Sequence, residues 1–323
     1  MTLVALLVDK EQRVADDPEL MSGRALRHAP MEYHLARTLR ALGYVVTIIP
    51  CISGRQLIAS LTVRKPDVVF NATEKMDGRR ANDMQIPALL DLLHLPYTGA
   101  TAASLLLNRD KATSKSIASI AGVRVPRFAL VPPGDTIPPA LPPFPLLVKP
   151  VWRDSSEGVS LSGIARTPRA LARRVELVHR RYREPAIVES YIEGTDIYVT
   201  AVEDGALHIL PPLEMRSDGA SIASYHVKHN NRYRKRWNIR YAPAALTPTQ
   251  SQQLQHDVRR LWPALQFRDY ARIDFRLSSG GELYFIEGNP NPGFSPVSRC
   301  TSWKDVDFPT AVGMIVGNAM RRG

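Results

Sequence analysis

Three short apolar runs separated by helical stretches occupy the first hundred residues, and they restrict the fold more than any other feature. Residues 3–8, 44–50 and 68–70 are continuously apolar and β-capable rather than alternating. A strand with that pattern has both faces covered, as in a parallel sheet flanked by helices. Between the runs, Met31, Leu35, Leu39 and Leu42 recur at helical spacing and Gly43 ends the series. Residues 57–61 and 86–93 supply two more helices. This rhythm predicts an N-terminal parallel-sheet unit over residues 1–100. Ligands of such sheets gather beyond the carboxyl ends of the strands, which points to the loop 71–82.

A second unit is expected over 101–189: a helix 105–121 stopped by Gly122, a strand 146–149, a small-residue loop 155–162, a basic helix 168–183 and a strand 186–189. Seven of the 26 prolines fall in 132–145, which must be an extended loop. The third unit, 190–323, carries strands 197–202 and 206–210, a polar arm 217–240, a helix 248–261 and a hairpin. The expected class is α/β, with α+β parts, in three units. A chain of 323 residues with 44% hydrophobic content has the material for such cores.

The formal charge of +11 has three readings: a nucleic-acid partner, a polyanionic small molecule such as a nucleotide, or an arginine-rich proteome. No apolar run approaches the roughly 18–20 residues that span a bilayer. Residues 1–8 lack a basic n-region and stop at Asp9-Lys10, so they read as a strand rather than a signal peptide. Cys51 and Cys300 cannot build a disulfide framework or a cysteine zinc site, and a cytoplasmic location is expected. His34, His94, His179, His208 and His256 show no metal spacing.

The hairpin carries the most chemistry. In 270–277, Ala271, Ile273, Phe275 and Leu277 alternate with Arg272, Asp274 and Arg276. Ser278-Ser279-Gly280-Gly281 turns the chain into a return strand, 282–288. Pairing Leu277 with Glu282 sets Asp274 opposite Phe285 and Arg272 opposite Glu287. Arg272, Asp274, Glu287 and Asn289 then share one face. Two carboxylates and an amide oxygen suit magnesium, which is completed by water and phosphate oxygens. A guanidinium suits phosphate or an oxyanion. An ordinary solvated face with cross-strand ion pairs remains the plain alternative. Asn289-Pro290-Asn291-Pro292-Gly293 favours the site, because the prolines fix the chain and Gly293 admits close backbone approach.

Lys149 ends a strand before Pro150, and the loop Ser155-Ser156-Glu157-Gly158 offers hydroxyls and N–H groups to phosphate, although no Walker A motif is present. Lys111 follows Asp110 at a helix start, where a solvated lysine is the default. Glu189 at a strand end has the position to read an adenine amino group.

These motifs, in this order, resemble the ATP-grasp superfamily in its D-alanine–D-alanine ligase-like branch. The set is Asp110-Lys111, Val148-Lys149-Pro150 with Ser155-Ser156-x-Gly158, Val188-Glu189, Arg272-x-Asp274, and Glu287-x-Asn289 with Pro292-Gly293. Phe70-Asn71 and Pro96-Tyr97-Thr98-Gly99 are also similar to that branch. The resemblance implies a three-domain ATP-grasp architecture with an N-terminal pre-ATP-grasp domain. It implies ATP and two magnesium ions, manganese being an alternative, and a carboxylate–amine ligase working through an acylphosphate with release of ADP and phosphate. On that resemblance Lys111, Lys149 and Lys228 hold phosphates under a loop of Ser155, Ser156 and Gly158. Glu189 with Tyr191 and Ile192 takes the adenine, and Asp196 the ribose. Asp274, Glu287 and Asn289 ligate metal. Arg272, Gly293, Ser298 and Ser155 form the catalytic set.

The chain departs from that branch at its N-terminus. Val8-Asp9-Lys10-Glu11-Gln12 stands where the family has a glycine pair and a Glu-Arg-Glu-Val-Ser-like run. Glu74 is then a candidate for the substrate ammonium, with His229 and Ser298 facing the acceptor. Cys300 is a further candidate for that pocket. These departures make a ligase for another amino acid or small carboxylate the leading expectation, and an authentic D-alanine–D-alanine or depsipeptide ligase the alternative. The expected partners are small-molecule substrates, not nucleic acid or membrane, with a homodimer as one oligomeric option. A basic nucleic-acid-binding protein is the rival from another class, on the strength of six basic residues in 228–240. The arginines of 166–183 read as a solvated helix face.

Overall fold

A computed structural model describes residues 1–11, 29–153, 163–218, 230–296, 298 and 301–323. The first sheet is parallel, as expected. Strands β1 (Leu3–Asp9), β2 (Val45–Cys51) and β3 (Val68–Asn71) run in the order β2-β1-β3. Helices α1 (Met31–Ala41), α2 (Gly54–Arg64) and α3 (Gln85–Leu92) cover it. Leu57, Leu61, Ile86 and Leu90 pack on one face with Ala5, Leu7 and Val69, while Leu35 and Leu39 pack on the other with Val4, Leu6 and Phe70. Covered on both faces, the strands have no use for alternation.

The expected continuous helix 105–121 is two helices, α4 (Ala102–Arg109) and α5 (Lys111–Ile120). Asp110 leaves helical geometry with φ −79° and ψ 101°, and its carboxylate accepts from the N–H groups of Ala112 and Thr113. An aspartate that caps its own following turn competes with helix continuation. Gly122, with φ 77°, ends α5 in the left-handed region.

The second sheet, order β4-β7-β5-β6, is antiparallel and holds β4 (Phe128–Val131), β5 (Leu146–Pro150), β6 (Ile164–Ala165) and β7 (Ala186–Ser190). Helix α6 (Pro168–Tyr182) lays Leu171, Val175 and Val178 on it and leaves its arginines outward. No strand was expected at β4. The proline stretch 132–145 has no regular structure.

The third sheet orders β11-β10-β8-β12-β13, with β9 also on β8. Its strands are β8 (Gly194–Glu203), β9 (Leu207–Ile209), β10 (Leu213–Arg216), β11 (Arg240–Pro243), β12 (Tyr270–Ser278) and β13 (Leu283–Asn289). Within the polar arm stands α7 (Asn231–Arg236); α8 (Pro248–Ala264) packs under the sheet. The last helix, α9 (Phe308–Arg321), returns to the first sheet. Its Phe308, Ala311, Val312 and Ile315 join Val4, Leu6 and Phe70 in one core with Tyr270 and Phe294. Fully buried Asp269 locks this return, accepting from Gly99 N at 2.7 Å, Asn318 Nδ2 at 2.7 Å and Arg322 at 2.6 Å. The loop after β13 is thereby held beside the loop after β3, with Asn291 Nδ2 donating to Thr73 O at 2.8 Å.

Candidate active site

The hairpin register differs from the expected one. Ser278 N donates to Glu282 O, so Leu277 pairs with Leu283 and Phe275 with Phe285. A bulge then interrupts the ladder, and Asp274 pairs with Glu287 and Arg272 with Asn289. The four polar residues still share a face, for a different reason. Phe285 lies in the core with Phe275 and Ile273. Strict alternation from Phe285 would have sent Glu287 and Asn289 into the core as well. The extra residue, Ile286, reverses the parity. Gly288 then falls on the core side, where a Cβ would stand 2.5 Å from the Phe267 ring.

Arg272 forks onto Asp274 along the strand, Nε–Oδ1 2.6 Å and Nη2–Oδ2 3.0 Å. Asn289 Oδ1 accepts from Asn291 N at 3.1 Å. A cleft of about 190 Å³ opens here, lined by Lys111, Arg272, Glu287 and Asn289 together with Glu74 and Arg80. Gly293 lines it with open space where a Cβ would stand. Among the described residues no group of three His, Cys, Asp or Glu side chains is arranged to hold an ion. The donor set is two carboxylates and an amide oxygen, which fits a magnesium ion completed by phosphate oxygens and water.

Lys111 is buried, not solvated, and its Nζ donates to the carbonyl oxygen of Arg153. Lys149 points from β5 to Glu189, Nζ–Oε1 2.5 Å. The sequence reading missed Lys115. It is fully buried on α5, 3.4 Å from Glu189 Oε2 and 2.7 Å from Ile286 O, the carbonyl of the bulge. Burial pushes its ammonium down to about 8, against the pull of Glu189. Burial pushes Glu189 up, but the charges of Lys115 and Lys149 outweigh it and hold the carboxyl below its ordinary value. Among the described residues Glu189 Oε2 nevertheless has no hydrogen-bond partner, its contact with Lys115 being an ion pair only. A buried acceptor in that state fits a ligand that brings an N–H, as an adenine amino group does. The signal for Lys115 was present in Asp110-Lys111-x-x-x-Lys115, because position i+4 shares the face of Lys111.

Tyr191, Ile192 and Asp196 lie together at the junction of the second and third sheets, where Arg276 touches all three. Ser298 sits on the loop after β13, its Oγ 3.2 Å from Thr301 Oγ1. Glu74 pairs with Arg80, and its backbone N–H donates to Asp9 Oδ1 at 3.0 Å. Behind it, Glu32 is buried, and desolvation with the nearby charges of Asp9 and Glu74 raises its carboxyl to about 7. Ser155, Ser156, Gly158, Lys228, His229 and Cys300 lie outside the described residues.

A parallel-sheet unit followed by two antiparallel sheets, with a strand-end lysine on one and an acidic hairpin on the other, is ATP-grasp architecture. D-alanine–D-alanine ligase from Bacillus anthracis, solved in complex with ATP, superposes with a TM-score of 0.74 at 18% identity, covering 100% of this chain and 98% of that one. The class is an ADP-forming, ATP- and magnesium-dependent carboxylate–amine ligase. Residues 140–315 match the family described as D-ala D-ala ligase C-terminus. D-alanine–D-alanine ligase of Trichlorobacter lovleyi is 30% identical over 287 residues, 87% of this chain and 82% of that protein. The enzyme of the same name from Geobacter sulfurreducens is 29% identical over 267 residues, 81% and 78%. The chain belongs to the D-alanine–D-alanine ligase family. No helix among the described residues is long and apolar enough to cross a membrane.

Proposed function

We propose that the protein joins two amino acids through the carboxylate of one and the amine of the other, with D-alanine the first candidate for both. The matched relatives support D-alanine over the unnamed carboxylate that the N-terminal departure favoured. The observation that carries the reading is the face shared by Arg272, Asp274, Glu287 and Asn289, of which Arg272, Glu287 and Asn289 line a cleft that Glu74 also lines.

In this reading Asp274, Glu287 and Asn289 hold magnesium, which screens phosphate charge as a carboxylate approaches ATP. Lys111 and Lys149 contact phosphate, and Glu189 accepts from the adenine amino group. Lys149 leaves Glu189 for the nucleotide while Lys115 stays to balance the carboxylate. Tyr191 and Ile192 border the base, and Asp196 stands at the ribose. Arg272 and the Gly293 N–H face the oxyanion of the acyl-transfer step. Glu74 takes the ammonium of the carboxylate-donating amino acid, and Ser298 faces the acceptor's carboxylate. The three sheets support units at 1–100, 101–189 and 190–323.

Purified protein with ATP, magnesium and an amino-acid panel that includes D-alanine is expected to release ADP and phosphate together with a dipeptide. AMP and pyrophosphate would overturn the acylphosphate route. ADP release with another amino acid, and none with D-alanine, would overturn the substrate assignment alone.

A further inference from the structure

Thr200 carries a hydroxyl that the reaction as proposed does not use. It lies on β8 directly opposite Arg272 of β12 and is only 2% exposed. Its Oγ1 stands 3.0 Å from Thr301 Oγ1, which in turn stands 3.2 Å from Ser298 Oγ. Three hydroxyls therefore run from the strand paired with Arg272 to the residue read above as facing the acceptor's carboxylate. The root of the Ser298 loop is held separately. Ser295 O accepts from Ser298 N at 3.0 Å and from Trp303 Nε1 at 3.1 Å, and the Trp303 and Phe294 ring centroids are 5.1 Å apart. Those contacts fix where the loop leaves the core, and the hydroxyl contacts tie the Ser298 side chain to the sheet.

We propose that Thr200 and Thr301 are positioning residues for the acceptor: they orient the Ser298 hydroxyl so that its proton meets the acceptor's carboxylate, and so select an acceptor that carries one. The inference rests on the reading of Ser298 above and extends it. A hydroxyl has one proton, free to rotate, and two lone pairs, so a series of hydroxyls can run in either direction. A carboxylate at Ser298 fixes the direction. Once Ser298 gives its proton to that carboxylate, its contact with Thr301 survives only if Thr301 donates in turn. Thr301 then has a lone pair for the proton of Thr200. The order Thr200, Thr301, Ser298, carboxylate uses all three protons, and each bond polarises the next toward the negative charge. Thr200 anchors the series on the sheet at the level of Arg272. The acceptor's carboxylate is thereby placed relative to the oxyanion site by the pairing of two strands rather than by a loop alone.

Competition between equal concentrations of D-alanine and D-alaninamide as acceptors, with D-alanine as donor and both dipeptide products measured by mass, tests this in one mixture. The amide keeps the amine and lacks the negative charge. The product ratio is independent of how much enzyme is folded and of the affinity for ATP, so a merely structural defect leaves it unmoved. The unmodified enzyme should favour D-alanine by about tenfold or more, the worth of a hydrogen bond to a charged group. Thr200→Val keeps the branched shape and removes the hydroxyl; it should cut the preference about three- to tenfold, the worth of one neutral hydrogen bond. Thr200→Ser should restore it. Thr301→Val, a change on the loop rather than in the sheet, should match Thr200→Val, and the two valines together should do no worse than either alone, because the series is already broken. An unchanged preference in folded Thr200→Val and Thr301→Val would overturn the positioning role and leave Ser298 at the acceptor. A preference below about twofold in the unmodified enzyme would overturn the reading of Ser298 and this proposal with it. Should the amino-acid panel identify another acceptor, that amino acid and its amide take the place of the D-alanine pair.

Discussion

Lys115→Met probes how the candidate site is held together. Methionine fills most of the lysine's volume, so the loss is electrostatic rather than a cavity. Two partners lose the ammonium: Ile286 O at 2.7 Å and Glu189 at 3.4 Å. The bulge carbonyl has a charged donor to lose, worth roughly 1.5–3 kcal/mol. Glu189 keeps Lys149 at 2.5 Å, so the roughly 3–5 kcal/mol of a fully orphaned buried partner is not reached. Removal of the lysine's own desolvation offsets part of the loss. The net is about 2 kcal/mol, or a melting-temperature drop of about 4–8 °C at the roughly 2–4 °C per kcal/mol of larger domains. The functional effect should be larger in proportion. Without a donor for Ile286 O, the parity change that sets Glu287 opposite Asp274 loses its support. Half-maximal activity should then need at least tenfold more magnesium. Thermal melts and ADP release across a magnesium titration measure both. A variant with unchanged melting temperature and magnesium response would refute the claim that Lys115 supports the bulge.

Two further outcomes are expected. Glu287→Gln should abolish ADP release while melting as the parent does, since the residue faces the cleft and not the core; full activity would remove Glu287 from the metal site. Glu32 has its carboxyl raised to about 7, so the folded state binds that proton more tightly than the unfolded chain. Its contribution to stability is full below about pH 4.5 and is lost as pH rises through about 7. Urea midpoints should therefore fall less between pH 5 and pH 8 in Glu32→Gln than in the parent, and equal falls would show that Glu32 does not titrate in this way.

Much of the architecture was legible in the chain. The apolar runs of the N-terminal region and the 3.6-residue spacing of 31–42 are local signals, and the sheet with its covering helix follows from them. The hairpin shows where legibility stops. Alternation in 270–277 reports which side chains share a face of one strand, but the register against the partner depends on where the turn closes. The expected pairing of Leu277 with Glu282 was wrong by one residue, and the bulge restored the shared face. The continuous helix drawn through 105–121 overlooked that Asp110 can satisfy two N–H groups itself. The polar arm 217–240 carries no expected element, yet α7 forms within it, with Tyr233 and Trp237 packed against Tyr198 and Met215, and β11 starts at its last residue, Arg240, paired with β10.

What the sequence determined by itself was periodicity, punctuation and the supply of chemically able side chains: a parallel N-terminal sheet, a basic helix with one apolar stripe, and a hairpin with carboxylates and a guanidinium. Only the tertiary structure decided which of these meet. It buried Lys115 between Glu189 and the bulge, set Arg276 against Asp196, and brought Glu74 to the same cleft as Glu287. The physical reason is range. Periodicity and capping act over a few residues, whereas Lys115 and Ile286 are 171 positions apart and are joined only when the sheets pack.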